Sequence, residues 1–354
     1  MGIEFGLFEH LTRPEGASLG ALYDQHVELV AKADQAGVHG YFIAEHHGHR
    51  LAMAPSQIPW LAALARETER IRLGTLVSCL PLHQPLRLAE EVCMIDQLSK
   101  GRFELGVGRG ISPFEHRFYG HAPEEKSDRF MEALELILEA FTTGKMKGEG
   151  RTWHQFPEVE LAMETYQRPC VPIWCPGNVD FAGHHGFNLV LPWPITKAVR
   201  ERYDEAYQQG LDDPGRLNPS VTEPKVASAQ WLVVAETDAK ARQIAERANS
   251  ALIQFLRRSA GEEPPHLQGP LAPLADDDPR RMFFDPERVF GERLALAGSP
   301  ETIRDYFLEY AAEGNANYFI VGFCFGDMTM AETARSLGLF LDEVVPALKA
   351  SAAA

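Results

Sequence analysis

Short apolar runs alternate with amphipathic stretches along most of the 354-residue chain. Such runs are typical of buried strands, and apolar residues that recur every three or four positions are typical of helices. The pattern predicts strands at residues 3–8, 41–44, 71–76, 103–107, 171–175, 187–191, 226–234 and 318–321. It predicts helices at residues 19–36, 57–66, 85–98, 128–141, 179–185, 198–209, 238–258, 300–313 and 330–348.

This alternation of strands and helices predicts a parallel sheet with crossover helices. At this length, a (β/α)8 TIM barrel with insertions fits better than an open doubly wound sheet. No boundary divides the pattern, so we expect a single domain over residues 1–354. Residues 144–168 interrupt the rhythm, and a second insertion around 261–295, rich in proline and acidic at 276–278, predicts a loop or lid.

The formal net charge is −16, from 34 basic and 50 acidic residues. Such a surface repels nucleic acid and anionic membranes, so we expect neither as a partner. The chain opens without a signal-peptide pattern, and no apolar run approaches the ~20 residues of a membrane span. Five scattered cysteines are typical of a reducing compartment, and none shows the histidine and acid pattern of a thiol nucleophile. A cytoplasmic location is the expectation.

In a (β/α)8 barrel the chemistry gathers where the strands end and the following loops begin. Residues at the ends of the predicted strands are therefore candidates for one site. They are Glu9-His10, Glu45-His46-His47, Leu76-Val77-Ser78, Arg109, Pro176-Gly177-Asn178, Trp193 and Phe323-Cys324.

The densest of these groups is Glu45-His46-His47. Imidazole and carboxylate can bind zinc, but the spacing is not that of a HExxH motif, and adjacent residues on an extended segment point to opposite sides. No metal site is predicted. Two interpretations remain open from these residues alone: an imidazole poised beside a carboxylate for proton transfer, and a polar loop cluster without chemistry.

Two turns at strand ends could bind an anion. The stretch Gly106-Val107-Gly108-Arg109-Gly110 is similar to a dinucleotide fingerprint, but Ile111 stands where the third glycine should be, and no helix start is predicted there. We therefore interpret this stretch as a tight turn. Its Arg109 could contact a phosphate or be solvated. Gly177-Asn178 precedes a helix, which is typical of an anion site or of an ordinary cap. Arg109 and Arg129 are candidates to converge on that helix start.

These residues and their surroundings resemble the bacterial luciferase family of flavin-dependent monooxygenases. The similarity covers most of the chain and is least clear over 261–295. Its motifs are Glu45-His46-His47, Leu80-Pro81, Pro85-Leu86-Arg87-Leu88-Ala89-Glu90-Glu91, Asp96-Gln97-Leu98-Ser99-Lys100-Gly101-Arg102-Phe103, Gly106-Val107-Gly108-Arg109-Gly110, Pro172-Ile173-Trp174, Gly177-Asn178, His185-Gly186-Phe187-Asn188-Leu189, Arg335-Ser336-Leu337 and Glu343-Val344-Val345-Pro346.

The resemblance implies a (β/α)8 barrel that binds reduced FMN at the C-terminal ends of its strands. It matches His46 to the catalytic histidine of the family, and Arg109 and Arg129 to contacts with the flavin phosphate. It matches Leu76-Val77 to a non-proline cis peptide that packs against the flavin ring, and it places Gly177-Asn178 at the same cofactor site.

The implied enzyme is an FMNH2- and O2-dependent monooxygenase that oxidises a small, largely apolar organic substrate through a flavin peroxide. A separate flavin reductase would supply the reduced FMN. His46 is expected to assist proton transfer, with Glu45 orienting its imidazole. The expected substrate pocket is lined by Phe8, Trp193 and Phe323.

Two other functions remain open. The same barrel family contains oxidoreductases that use the deazaflavin F420, and luciferase heterodimers contain a subunit without its own active site. Retention of Glu45-His46-His47 and Arg109 argues against the second alternative. Gly108 stands where bacterial luciferase has a reactive cysteine, which argues against light emission but not against monooxygenation. A homodimer is expected from the resemblance.

Overall fold

The computed structural model describes residues 4–13, 16–48, 50–218, 223–259, 261 and 285–353, and it contains a closed barrel of eight parallel strands. The predicted (β/α)8 fold is therefore confirmed. The strands are β1 (Glu4–Glu9), β2 (Gly40–Ile43), β3 (Arg72–Thr75), β4 (Ser78–Cys79), β5 (Phe103–Gly108), β6 (Lys145–Met146), β7 (Val159–Glu160), β8 (Ile173–Pro176), β9 (Asn188–Leu191), β10 (Val226–Val234), β11 (Ala295–Gly298) and β12 (Tyr318–Gly322).

The barrel follows the order β1, β2, β3, β5, β8, β9, β10, β12 and closes where β12 pairs with β1. These eight strands are the predicted ones, and their bounds agree with the prediction to within two residues. The short strands lie outside the ring: β4 pairs with β5, β11 pairs with β10, and β6 and β7 form an antiparallel hairpin in the segment that interrupts the rhythm.

Helices surround the barrel, and several begin at residues that cap them. Ser18 accepts a hydrogen bond from the amide of Ala21, and Thr329 forms a capping box with Glu332. The helices are α1 (Leu19–Gln35), α2 (Gln57–Glu67), α3 (Pro85–Leu98), α4 (Pro113–Phe118), α5 (Lys126–Thr143), α6 (Val179–His185), α7 (Lys197–Gly210), α8 (Asp238–Ser259), α9 (Pro286–Gly291), α10 (Pro300–Glu313), α11 (Met330–Leu339) and α12 (Val345–Ala353). A π-helical segment, Phe340–Val344, joins α11 to α12.

Large side chains fill the centre of the barrel. Phe42, Trp174 and Tyr318 are almost completely buried there and pack as one aromatic cluster. Glycine on a neighbouring strand makes room for them: a Cβ at Gly74 would lie 2.6 Å from the Phe42 ring. Because the centre is packed, a ligand can enter only at an end of the barrel, and the strand C-termini form its mouth.

Two features depart from the expectations. A short helix, α4, follows the glycine turn, where no helix start is predicted; its six residues are too few to show helical periodicity. Within the predicted insertion at 261–295, residues 262–284 lie outside the described part of the chain, whereas α9 and the start of β11 are regular elements. None of the helices in the described ranges is long and apolar enough to cross a membrane.

Candidate active site

Aromatic side chains form one wall of the barrel mouth. Phe8 and His10, at the end of β1, lie with their ring centroids 4.9 Å apart. The His10 ring lies parallel to that of His46 at 5.6 Å, and it also lies 5.5 Å from the Trp231 ring. Trp231 in turn stacks on Phe325 at 4.9 Å. The mouth therefore holds two imidazoles within an apolar, aromatic surface.

His46 is oriented by a carboxylate from α4. Its Nδ1 lies 3.2 Å from Oε1 of Glu115, and the same oxygen accepts a hydrogen bond of 2.9 Å from the backbone amide of His47. Glu115 is 2% exposed and His46 is 9% exposed. Because an ionised carboxylate can only accept, this contact requires the proton on Nδ1 of His46.

The expectation that Glu45 orients His46 is wrong. Glu45 points the other way and contacts three other groups: Nε2 of His47 at 2.9 Å, Nε2 of His83 at 3.0 Å and the backbone amide of Cys79 at 2.8 Å. The physical reason is that neighbouring residues on an extended segment face opposite sides. Glu45 therefore joins the turn after β2 to the segment after β3, outside the mouth.

Electrostatics keep Glu45 ionised in that position. Burial by itself would raise the pKa of its carboxyl, but the charge of His83 and the hydrogen bonds from His47, His83 and Cys79 outweigh burial and lower this pKa to about 2. Burial alone would lower the pKa of His83, and the Glu45 carboxylate raises it instead. The two groups form a partly buried ion pair that fixes the loops on which His46 stands.

A local signal for Glu115 does exist in the sequence. Ser112 followed by Pro113 is a typical helix start, with serine as the cap and proline at the first helical position. Glu115 then falls in the first turn of α4, directly after a barrel strand and its turn. The sequence shows where this helix begins but not that Glu115 meets His46, because 69 positions separate the two residues.

Leu76 and Val77 occupy the mouth at the end of β3, and the peptide bond between them is cis, as the resemblance implies. Side chains of α2 and β4 hold this segment: Gln57 donates to the carbonyl oxygen of Val77 at 3.2 Å and accepts from Ser78 at 3.0 Å. Val77 also leaves no room for a side chain at Gly108 on β5, since a Cβ there would overlap Cγ2 of Val77. The glycine at 108 is therefore required by Val77.

Arg109 and Gly177 lie at the ends of neighbouring strands, because β5 and β8 pair in parallel. Arg109 is exposed, and its Nη1 lies 3.4 Å from the hydroxyl of Ser127, in the first turn of α5. The positive charge of Arg109 also interacts with the buried thiol of Cys175, two residues before Gly177. Gly177 has a φ of +84°, and an added Cβ there would meet no atom within 4 Å, so open space borders the turn.

Arg129 and Asn178 are already engaged by protein groups. Arg129 pairs with Glu125 at 2.9 Å, and its guanidinium lies 4.2 Å from the centre of the Trp153 ring. Asn178 caps α6 by accepting a hydrogen bond of 3.1 Å from the amide of Phe181, which is the ordinary cap that the sequence leaves open. Their roles in cofactor binding stay predictions.

The three predicted pocket residues lie in different surroundings. Phe8 belongs to the aromatic wall, and Trp193, 42% exposed, lies after β9. Phe323 is 4% exposed and packs against Phe340, in the shell between strands and helices, so the structure does not join it to the mouth. Gly322 and Phe323 face opposite sides of the strand, and Trp231 fills the space beside Gly322.

Among the described residues, no group of three or more histidine, cysteine, aspartate or glutamate side chains could hold a metal ion. His49, which follows the predicted histidine group, lies outside the described residues. Residues that sequence analysis left out of the site are Glu115, Ser127 and Trp231.

Comparison with known families shows the family to which this chain belongs. The sequence model for luciferase-like monooxygenases matches residues 3–316. The chain belongs to that family. The predicted resemblance and the predicted enzyme class, monooxygenase, are both confirmed.

Relatives of this luciferase-like monooxygenase align over nearly its whole length. It is 27% identical to the oxygenase component of a flavin-dependent trigonelline monooxygenase from Acinetobacter baylyi, over 99% of this chain and 96% of the relative. The monooxygenase RslO1 from Streptomyces bottropensis has the same fold, with a TM-score of 0.81 at 24% identity over 97% and 99% of the two chains. So does the oxygenating constituent of 3,6-diketocamphane monooxygenase from Pseudomonas putida, solved with FMN (TM-score 0.73, 20% identity, 98% and 99% coverage).

The contact between positions 77 and 108 yields a prediction. Gly108→Ala should lower the free energy of unfolding by about 1–3 kcal/mol, because the new Cβ overlaps Val77. The double variant Val77→Ala/Gly108→Ala should recover most of that loss, and Val77→Ala alone is the matched control. Urea unfolding followed by tryptophan fluorescence measures all three. Losses that simply add in the double variant would refute the proposed coupling.

Proposed function

We propose that this chain is the oxygenase component of a two-component enzyme that uses reduced FMN and O2 to oxidise a small, largely apolar organic substrate. The observation that carries the proposal is His46, oriented by Glu115 at a mouth that also carries Arg109 at the end of β5. A separate flavin reductase would supply the reduced cofactor, in line with the relative that is named as an oxygenase component.

The pair of His46 and Glu115 supports proton transfer at the mouth. With the Nδ1 proton directed at the Glu115 carboxylate, Nε2 is the atom that exchanges a proton with a bound molecule. The carboxylate fixes the plane of the ring, so His46 can accept a proton from a bound molecule and later return it. A subunit without an active site would not need this buried pair.

The turns after β5 and β8 fit a cofactor that carries a phosphate. Arg109, the hydroxyl of Ser127 and the first turn of α5 can bind the phosphate, since a guanidinium and a helix N-terminus both favour an anion. The open space beside Gly177 leaves room for it. Leu76 and Val77 would then support the flavin ring, with Arg129 and Asn178 around the phosphate.

Reduced FMN would supply the two electrons with which O2 is activated. The chain contributes the surroundings: Phe8 and Trp231 provide apolar surface that excludes water, and His46 holds a proton within that surface. The same surface favours a substrate that is largely apolar. F420 is the alternative cofactor, and the binding experiment below separates the two.

We also infer a homodimer formed through α3. Exposed apolar side chains lie on this helix and on the segment beside it: Met94, Leu98, Met163 and Tyr166 are 53%, 43%, 37% and 57% exposed. The segment is attached to α3, because Gln97 donates to the carbonyl oxygen of Glu164 at 3.0 Å. Exposed apolar side chains grouped on one helix and the segment attached to it favour association of two copies.

Arg109→Ala should weaken the binding of reduced FMN by about 10- to 100-fold, because the variant loses a charge-assisted contact to the phosphate. The binding of reduced riboflavin, which has no phosphate, should stay nearly unchanged. Anaerobic titration with reduced FMN, riboflavin and F420 measures this. The matched control is Arg87→Ala, an arginine on α3 whose side chain is 81% exposed. Equal losses for FMN and riboflavin would remove the phosphate role, and wild-type binding of F420 alone would overturn the FMN proposal.

Glu115→Gln should slow the reoxidation of bound reduced FMN by O2 by about tenfold, because glutamine keeps the shape of the side chain but not the charged contact that orients the His46 ring. His46→Ala should slow the reaction by about 100-fold or more. Glu45→Gln is the control, since Glu45 contacts His47 and His83 instead. A rate that falls with Glu45→Gln but not with Glu115→Gln would contradict the assignment.

Met94→Glu should convert a dimer into a monomer, because it places a charge in the apolar surface on α3. Sedimentation velocity at several concentrations measures the change. Leu211→Glu is the matched control: this side chain is 50% exposed but lies at the end of α7. A wild-type chain that sediments as a monomer would rule out the homodimer.

A further inference from the structure

Two aromatic residues at the C-terminal end of α4 hold this short helix against the turn after β2. Phe118 ends the helix and Tyr119 follows it, and both side chains stay partly in solvent, at 49% and 44% exposed. A helix of six residues is not stable by itself, so its position depends on contacts with the rest of the chain. The contacts of Phe118 and Tyr119 therefore bear on Glu115, which lies on the same helix.

Phe118 packs on Gly48, in the turn after β2. A Cβ at Gly48 would lie 2.7 Å from Cε2 of Phe118, and the glycine has a φ of +80°. Phe118 also contacts the buried ring of Phe114, with ring centroids 5.4 Å apart. Glycine is favoured at position 48 both by the left-handed backbone and by the ring that covers it. The turn after β2 is thus shaped to receive the end of α4.

Tyr119 makes a polar contact with the same turn. Its hydroxyl lies 3.2 Å from Nδ1 of His47, and the two ring centroids lie 5.1 Å apart. Nε2 of His47 lies 2.9 Å from Oε1 of Glu45. Because the Glu45 carboxylate can only accept, Nε2 of His47 donates to it, and Nδ1 is the atom that meets Tyr119. A buried carboxylate thus fixes the imidazole to which the end of α4 is attached.

His47 meets α4 a second time through its backbone. Its amide donates to Oε1 of Glu115 at 2.9 Å, and this oxygen also lies 3.2 Å from Nδ1 of His46. Glu115 and Tyr119 are separated by one helical turn, so both side chains lie on the side of α4 that faces the turn after β2. A movement of α4 that breaks the contact of Tyr119 would also shift Glu115, and hydrogen bonds weaken steeply when their geometry changes.

We propose that Tyr119 is a positioning residue for His46. Through the ring of His47 it holds α4 in the place where the Glu115 carboxylate meets the His46 imidazole. Tyr119 acts through Glu115, and the packing of Phe118 on Gly48 supports the same placement. The catalytic consequence rests on the proposed function, whereas the placement of Glu115 is a property of the chain without flavin.

Hydrogen exchange, followed by NMR on the full chain without flavin, tests the placement. Tyr119→Phe should speed exchange of the His47 amide by about three- to tenfold, because this amide donates to Glu115. Amides of β1 and β12 should exchange as in the wild type. Tyr310→Phe is the matched control, since it loses a hydroxyl that donates to the carbonyl oxygen of Ile195 at 2.6 Å, on α10.

Two results of this exchange experiment would overturn the proposal. One is an unchanged rate for the His47 amide in Tyr119→Phe. The other is an equal acceleration in Tyr310→Phe, because a general loss of stability would then explain both variants.

A double-mutant cycle tests the route through Glu115. At saturating reduced FMN, Tyr119→Phe should slow reoxidation by O2 by about three- to tenfold, with an unchanged dissociation constant for reduced FMN. The same substitution should have almost no further effect in Glu115→Gln, because the contact that it positions is already lost. Effects that multiply independently, or a loss of FMN affinity at an unchanged rate, would overturn the proposal.

The two experiments separate this proposal from the proposed function. A chain that binds no reduced FMN would fail the proposed function, and exchange of the His47 amide would then decide the role of Tyr119 alone. A chain that binds and reoxidises reduced FMN, but whose rate and His47 exchange ignore Tyr119→Phe, would keep the proposed function and lose the positioning role.

Discussion

The pleat of the barrel strands decides what each residue at a strand end can contact. Successive side chains on a strand face opposite sides, and in a closed barrel these sides are the interior with its mouth and the shell beneath the helices. Phe8 and His10 therefore lie at the mouth, while Glu9 between them reaches α1. In the same way His46 faces the mouth and Glu45 does not. An acid cannot orient the histidine that directly follows it on such a segment.

This constraint explains why the pairs His46–Glu115 and His26–Glu9 each join different parts of the chain. Glu115 reaches His46 from α4, and Glu9 reaches His26 across the shell. Removing a carboxylate from water is costly unless a cation or several donors meet it. Each pair therefore ties a loop at the mouth to a neighbouring element. The contacts that compensate the buried charges are therefore also the contacts that hold the candidate catalytic histidine in place.

The fold could be predicted because each barrel strand is buried on both faces and so appears as a short apolar run. Of the candidate site, the family resemblance marked single positions, and the cis peptide after β3 is one that the structure shows. Contacts between distant residues could not be predicted. Glu45 was the expected partner of His46 because it is adjacent in the chain, and the pleat excludes that contact. Phe323 failed to join the mouth for the same reason.

Gly108 shows how one substitution relative to bacterial luciferase depends on its neighbour. No side chain fits at this position while Val77 occupies the space across from it, so a thiol there would require a smaller residue at 77. The absence of that thiol is thus part of the shape of this mouth rather than an isolated loss.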